Sequence, residues 1–307
     1  MNTPILHHFD LSPFAEKVRL MLGLKRLAWR SVEIPLVMPK PDLTALTGGY
    51  RKTPVLQIGA DIYCDTRLIA TELERRFPEP SLFPDGQQGL SLALCAWSDR
   101  AFFEPGAGLS MGMNRNGLPK AIIDDRKAFF NFMDFDRLEV DLPHLTTQLL
   151  AHADLVDQQL ADGRPHLLGA VPGLADINAY FPVWMIRSNV PTAAALLQRF
   201  RHLGAWEERM RAIGHGDRTP LGSDAALAEA HSTGPLPGAG VDPADALGLG
   251  AGDLVQVTPD DYGRIPVTGT LVTLQLREVA IRRIDPRAGE VVVHFPRMGY
   301  RVERITA

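Results

Sequence analysis

The hydrophobic period changes twice along this chain, and those changes confine it to three successive parts. Residues 1–82 mix short apolar runs of strand length with amphipathic stretches. From 88 to 230 the apolar residues recur at spacings of three and four, and from 253 to 307 the spacing is two. The segment 231–252, HSTGPLPGAGVDPADALGLGAG, concentrates Gly and Pro and reads as a linker. The expected class is therefore α/β, then all-α, then all-β.

Within the first part, ILHHF suits a buried strand, LSP breaks it, and Phe14, Val18, Met21 and Leu22 mark an amphipathic helix. WRSVEIPL is a second strand, followed by a Pro-rich loop with a short helical turn. TPVLQIGADIYC folds back as a hairpin around Gly59, Ala60 and Asp61, and DTRLIATELERRFPEP is a helix. His7 and His8 alternate on the first strand, which predicts one inward and one outward. In the second part, Leu90, Leu94, Trp97, Ala101 and Phe102 share helical spacing. The four glycines of GAGLSMGMNRNGL, from Gly106 on, are expected to break that helix. In the third part LVQV, PVTGTLVTLQL, EVAIRRI, EVVVHF and YRVERI are five strands with no helix between them. Left open they would expose edges, so a small closed or half-closed barrel of SH3-like kind is expected.

The composition limits what such a chain does. Lys+Arg 32 against Asp+Glu 36 leaves a net charge of −4, too balanced for a protein whose main task is gripping nucleic acid or an anionic membrane. Arginines crowd the tail, from Arg277 to Arg304, but Glu278, Asp285, Glu290 and Glu303 are interspersed, as on a solvated face. No apolar stretch approaches the roughly 20 residues of a membrane span. MNTPILHHFD lacks the basic start of a secretory signal, and Cys64 and Cys95 are too few for a disulfide framework or a cysteine-rich metal site. A reduced cytoplasm and no metal are the expectations.

Three local features carry chemistry. Ser12 precedes Pro13 at the mouth of the first helix; its hydroxyl caps the helix, or serves beside the helix dipole to hold an anion such as a thiolate. Thr53-Pro54 opens a strand. A cis bond there would turn the backbone of Thr53 to a ligand, although only about one X–Pro bond in twenty is cis. Asp65-Thr66 opens the next helix, where both residues cap well and also offer a carboxylate, a hydroxyl and free N–H groups to a charged ligand.

Taken in order, the first strand, Ser12-Pro13-Phe14 with Lys17-Val18-Arg19, Lys52-Thr53-Pro54-Val55-Leu56, Asp65-Thr66 before a helix and an R-x-F-P exit resemble the N-terminal, thioredoxin-like domain of the glutathione transferases. GLADINAY, residues 173–180, is similar to the capping-box motif of that family's helical domain. Here Gly173 stands where Ser or Thr is usual and Asp176 follows three residues on. FRHLGAWEERM is similar to a later family helix. The resemblance spans residues 4–225 and leaves the β tail outside the usual plan.

The resemblance implies a co-substrate, glutathione, and a site for it: Ser12 at the sulfur, Thr53 with cis-Pro54 at the cysteinyl backbone, Asp65 and Thr66 at the γ-glutamyl end, and Lys40 or Lys52 at the glycine carboxylate. Ser12 would be a hydrogen-bond donor to the thiolate. Lowering a thiol pKa from about 8.5 by two units takes roughly 2.7 kcal/mol of preferential stabilisation. Phe14, Trp97, Phe103, Met111 and Met113 are candidates to line an electrophile pocket, which the residues themselves leave equally open to a plain core role. Ser in place of Cys at position 12 disfavours disulfide exchange, and Cys64 and Cys95 read as small buried side chains.

The implied activity is transfer of glutathione to a small hydrophobic electrophile, as in detoxification, by a homodimer. Two alternatives stay open at this point: a glutathione- or protein-binding scaffold with the β tail as its interaction module, and a glutathione-dependent isomerase or dehalogenase.

Overall fold

The computed structural model describes residues 2–305, which fall into two compact units. The first holds the residues up to 15, 28–72 and those from 218 on; the second holds 16–27 and 73–217. The first elements are β1 (Ile5–His8), α1 (Pro13–Leu24), β2 (Ala28–Glu33), α2 (Pro41–Thr47), β3 (Val55–Ile58), β4 (Asp61–Cys64) and α3 (Thr66–Arg76). Helices α4 (Gln88–Ala96), α5 (Phe103–Met113), α6 (Lys120–Phe129), α7 (Leu138–Gln159), α8 (Leu174–Asn189), α9 (Ala193–Leu197) and α10 (Leu203–Ala212) follow. The chain ends with β5 (Asp217–Pro220), α11 (Ser223–Ser232), β6 (Gly240–Val241), β7 (Leu254–Pro259), β8 (Val267–Leu274), β9 (Glu278–Asp285), β10 (Gly289–Pro296) and β11 (Tyr300–Arg304).

The strand-rich tail is present, with five strands where five were expected, and its last strand returns to pair with its first, giving the order β11-β7-β8-β9-β10. It is not set apart from the N-terminal strands. β10 pairs in parallel with β4, and the hydrogen-bonded order continues through β4-β3-β1-β2-β5. One apolar core runs under both halves, joining Val55, Ile62 and Cys64 to Val291, Val293 and Phe295. The physical reason lies in β4, whose outer edge would otherwise offer unpaired N–H and C=O groups. β10, buried along VVVHFP, fills that edge. The segment 231–252 is also more than a tether, since β6 pairs with β8.

Two expectations change with this topology. β1 lies between β2 and β3 and is covered on both faces, so His7 and His8 are both buried. His7 pairs with Gln57 at 2.8 Å and burial pushes its pKa down to about 4; His8 bonds Ser31 at 2.9 Å. The helical stretch expected as far as 230 is interrupted by a strand before it resumes in α11. DRTP forms β5 beside β2, where Leu221 N–H donates to the Ser31 carbonyl at 2.8 Å. A polar, Pro-containing edge strand carries no apolar alternation by which to see it.

Three arginines of the tail are paired: Arg287 with Asp42 at 2.7 Å, Arg297 with Asp245 at 2.9 Å and Arg304 with Asp253 at 2.6 Å.

In the second unit three of the four glycines expected to break the first helix, Gly106, Gly108 and Gly112, lie inside α5 instead, and Gly117 follows its end. A Cβ on Gly106 would meet Met185 at 2.7 Å, on Gly108 Leu145 at 2.8 Å, and on Gly112 Leu142 at 2.8 Å. They are contact points for α7 and α8, and the helix stops only at Asn114. Gly173 has a similar cause. A Cβ there would meet the Pro84 ring at 2.8 Å and the Leu82 carbonyl at 3.0 Å, so the usual Ser has no room. The carboxylate half of the box remains: buried Asp176 accepts from Gly173 N–H at 3.1 Å, Leu167 N–H at 2.8 Å and the Trp206 indole at 2.9 Å.

Two outcomes follow from these contacts. Gly173→Ser, although it restores the common cap, should lower stability by about 1–3 kcal/mol through overpacking, read as a drop in the unfolding midpoint. At the β4–β10 seam, His294 bonds Glu278 at 2.6 Å and Asp61 at 3.0 Å and stacks on Tyr63. Burial favours the neutral ring, but the two carboxylates outweigh it and hold the pKa above its ordinary 6.5. Stability from this contact is therefore full below pH 6.5 and is lost as pH rises through the folded-state value. His294→Ala should cost about 3 kcal/mol near pH 6, and thermal melts from pH 6 to 9 should show that penalty shrinking.

Candidate functional site at the sheet end

Strand directions bring the sequence-predicted residues to one end of the sheet. β1 runs toward Ser12 and is antiparallel to β3, with His7 opposite Val55; β3 is antiparallel to β4, with Val55 opposite Cys64. Ser12, Pro54 and Asp65 thus all lie just beyond the same strand ends, and helices α1 and α3 both begin there. Two helix N-termini at one sheet end favour a negatively charged group.

Ser12 is buried and its Oγ accepts the Ala15 N–H at 3.2 Å, so the hydroxyl caps α1. A serine hydroxyl that accepts one bond keeps its own proton as a donor. The Thr53–Pro54 bond is cis, as the resemblance implies. Lys40 is buried; it donates to Thr53 Oγ1 at 3.2 Å and sits 5.4 Å from the centre of the Phe9 ring. Thr66 is buried at the start of α3, and Asp65 before it has φ +75°, a left-handed conformation costly for a residue other than glycine.

The tail reaches this end of the sheet. Asp65 accepts from the Arg67 N–H at 2.9 Å, from the Arg67 guanidinium at 3.3 Å to each oxygen, and from the Tyr300 hydroxyl at 3.2 Å. Tyr300 in turn bonds the Tyr50 hydroxyl at 3.0 Å, and Arg67 donates to the Met298 carbonyl at 3.0 Å. Gly299, at φ +88°, leaves room for that guanidinium, because a Cβ there would lie 2.9 Å from it. Lys52 pairs with Asp261 of the tail and lies 4.3 Å from the centre of the Tyr262 ring. Burial favours the protonated form of Asp65, yet Arg67 and Lys52 hold its pKa below the ordinary carboxylate value. Burial pushes the Tyr50 and Tyr300 phenols well above theirs, and the charge of Asp65 adds to this.

Tyr50, Arg67, Asp261, Tyr262 and Tyr300 were not among the residues singled out from sequence. Arg67 adjoins the Asp65-Thr66 motif and was within reach; the tail residues stand some 200 positions away, with no local pattern linking them to it.

The electrophile candidates are scattered in role. Phe14 is half-buried at the start of α1. In the second unit Trp97 donates its indole N–H to His152 at 3.0 Å, and Phe103 is buried against Phe130, Phe132 and Phe181. Met111 and Met113 are half-buried late in α5, with Met113 Sδ 3.7 Å from the Thr192 hydroxyl. No group of three or more His, Cys, Asp or Glu able to hold a metal occurs among the described residues.

The family model described as "Glutathione S-transferase, N-terminal domain" matches residues 6–81. A GST-like protein from Pseudomonas syringae of known structure is 38% identical, with a TM-score of 0.82, over 99% of this chain and 100% of its own. The chain belongs to the glutathione S-transferase-like family. Because that match covers nearly the whole chain, the GST-like relative shares the tail as well. FtsZ-localized protein A of Caulobacter vibrioides is 29% identical over 102 residues, which is 32% of this chain and 45% of that protein's length. A glutathione S-transferase from Rhodospirillum rubrum shares the fold at 22% identity and a TM-score of 0.54, over 68% of this chain and 88% of its own.

If the Ser12 hydroxyl caps α1, Ser12→Ala should lower the unfolding free energy by about 1 kcal/mol and Ser12→Gly by only a few tenths. Denaturant titration of the two variants checks the order.

Proposed function

We propose that this GST-like chain activates the thiol of a cysteinyl ligand at Ser12 for attack on a small hydrophobic electrophile. The observation that supports this reading best is the convergence of Ser12, cis-Pro54 and Thr66 at one sheet end with the first turns of α1 and α3. Glutathione is the ligand the family implies, with Thr53 and Pro54 meeting its cysteinyl backbone. Ser12 keeps its cap bond to Ala15 and donates its own proton to the sulfur, while the helix dipoles favour the thiolate; together these are of the size that a two-unit fall in thiol pKa demands. The thiol proton goes to solvent, sulfur bonds to the electrophilic carbon, and the leaving group departs with the electron pair of the broken bond. The working form is a homodimer, which sedimentation would test.

A second reading, a binding scaffold that catalyses little, is favoured by one observation: Tyr300 and Arg67 already bond the Asp65 carboxylate. The matched stretch of FtsZ-localized protein A, a protein named for where it resides, is compatible with such a role.

Conjugation of 1-chloro-2,4-dinitrobenzene at millimolar glutathione separates the two. The transferase reading expects turnover, and a loss of at least about 10-fold in kcat/KM for Ser12→Ala at pH 7 that narrows toward pH 9, where the thiol ionises unaided. No turnover above the uncatalysed rate would move the chain to the scaffold reading. Equal turnover by Ser12→Ala would remove Ser12 from the chemistry.

A further inference from the structure

We infer that the tail sets which thiol the site accepts: a cysteine flanked on both sides by uncharged amides, as inside a polypeptide, in preference to glutathione. The inference rests on the thiol-binding reading above and concerns the two ends of the ligand, not its sulfur.

Glutathione brings an ammonium and a carboxylate at its γ-glutamyl end and a carboxylate at its glycyl end. The residues expected to meet them are Asp65 with Thr66 at the γ-glutamyl end, and Lys40 or Lys52 at the glycyl end. A carboxylate has about four lone-pair positions. On Asp65 they are taken by the Arg67 N–H at 2.9 Å, the Arg67 side chain at 3.3 Å to each oxygen, and the Tyr300 hydroxyl at 3.2 Å. A ligand ammonium there would have to displace Tyr300 or face the Arg67 guanidinium. At the other end Asp261 neutralises Lys52, so a glycyl carboxylate would be brought beside a like charge. An ammonium at Asp65 or a carboxylate at Lys52 would lose water and have to share a partner already paired, which is costly in a buried setting.

The middle of the site is different. Ser12 is bonded to Ala15, and Thr53 to Lys40, all within the N-terminal segment. The tail therefore closes the charge-reading ends and leaves the cysteinyl positions to the N-terminal fold. Capping both ends of a ligand as amides removes the groups that the tail opposes.

The test compares reduced glutathione with N-acetyl-Gly-Cys-Gly-amide, equal in length and uncharged at both ends, by isothermal titration against the full chain. The wild type should bind the capped peptide at least 10-fold more tightly. In the double variant Tyr300→Phe, Asp261→Asn, glutathione should gain at least 10-fold while the capped peptide stays within threefold. Circular dichroism and the thermal midpoint establish that the variant is folded, and Tyr300→Phe alone provides a milder case. Equal or tighter glutathione binding by the wild type would overturn the inference. So would a wild type that binds neither thiol while the double variant binds glutathione, since the tail would then be a plug and not a selector. If neither thiol binds wild type or variants, the thiol-binding reading itself falls.

Discussion

The pairing of β10 on β4 governs the rest of the structure. A strand at the edge of a small sheet needs a cover, and the chain supplies it from a segment some 230 residues later, in parallel, with Val292 opposite Asp61, Val293 opposite Ile62 and His294 opposite Tyr63. A slip of one residue would send Val293 and Phe295 out of the core and bring His294 in, so burial fixes the register. His294 adds a polar lock, since its two nitrogens find Asp61 and Glu278 only in this alignment. From that fixed point the chain reaches Tyr300 after six residues, which places the phenol at Asp65. The tail's approach to the candidate site is thus a consequence of how the sheet edge is closed.

That approach changes the electrostatics of the sheet end without changing its backbone. The cis-Pro54 turn, the cap at Ser12 and the two helix N-termini belong to the N-terminal segment. The tail acts on the charges: Tyr300 and Arg67 satisfy Asp65, and Asp261 satisfies Lys52. The candidate site is in this way built from two stretches of sequence, the N-terminal segment supplying its backbone and helix ends and the tail supplying partners for its charges.

Much of this was legible beforehand because it is local. Changes of period located most strands and helices, the S-P-F, T-P and D-T motifs picked out residues that meet at one sheet end, and the resemblance they form implied the cis bond at Pro54. What escaped notice depends on partners distant in sequence. The glycines of α5 read as breaks because a missing side chain looks the same whether it frees the backbone or admits a neighbour; Met185, Leu145 and Leu142 show the second. Gly173 looked like a loss in the capping box, whereas Leu82 and Pro84 leave no space for more. His7 and His8 alternate as expected, but alternation gives two exposures only when one face of the strand is wet. The tail's strands were visible, and their partner strand was not, since nothing in EVVVHF names β4.

The charge on Asp65 bears directly on whether a thiolate can exist close by. Cys64, its neighbour, shows the opposing effect: burial raises its thiol well above the ordinary value, and the carboxylate of Asp65 raises it further. A ligand thiol at the same sheet end would feel the same negative charge if it stood alone. Arg67 pairs with the carboxylate on both oxygens and so offsets part of that charge. Pairing within the chain therefore has two effects that cannot be separated. Under the proposed thiol-binding reading, it would occupy the carboxylate that a ligand ammonium needs, and it would offset part of the charge that opposes ionisation of sulfur. On that reading, a site so arranged would favour thiolate formation over recognition of a charged tripeptide, and selectivity would come from the neutral surroundings of the sulfur.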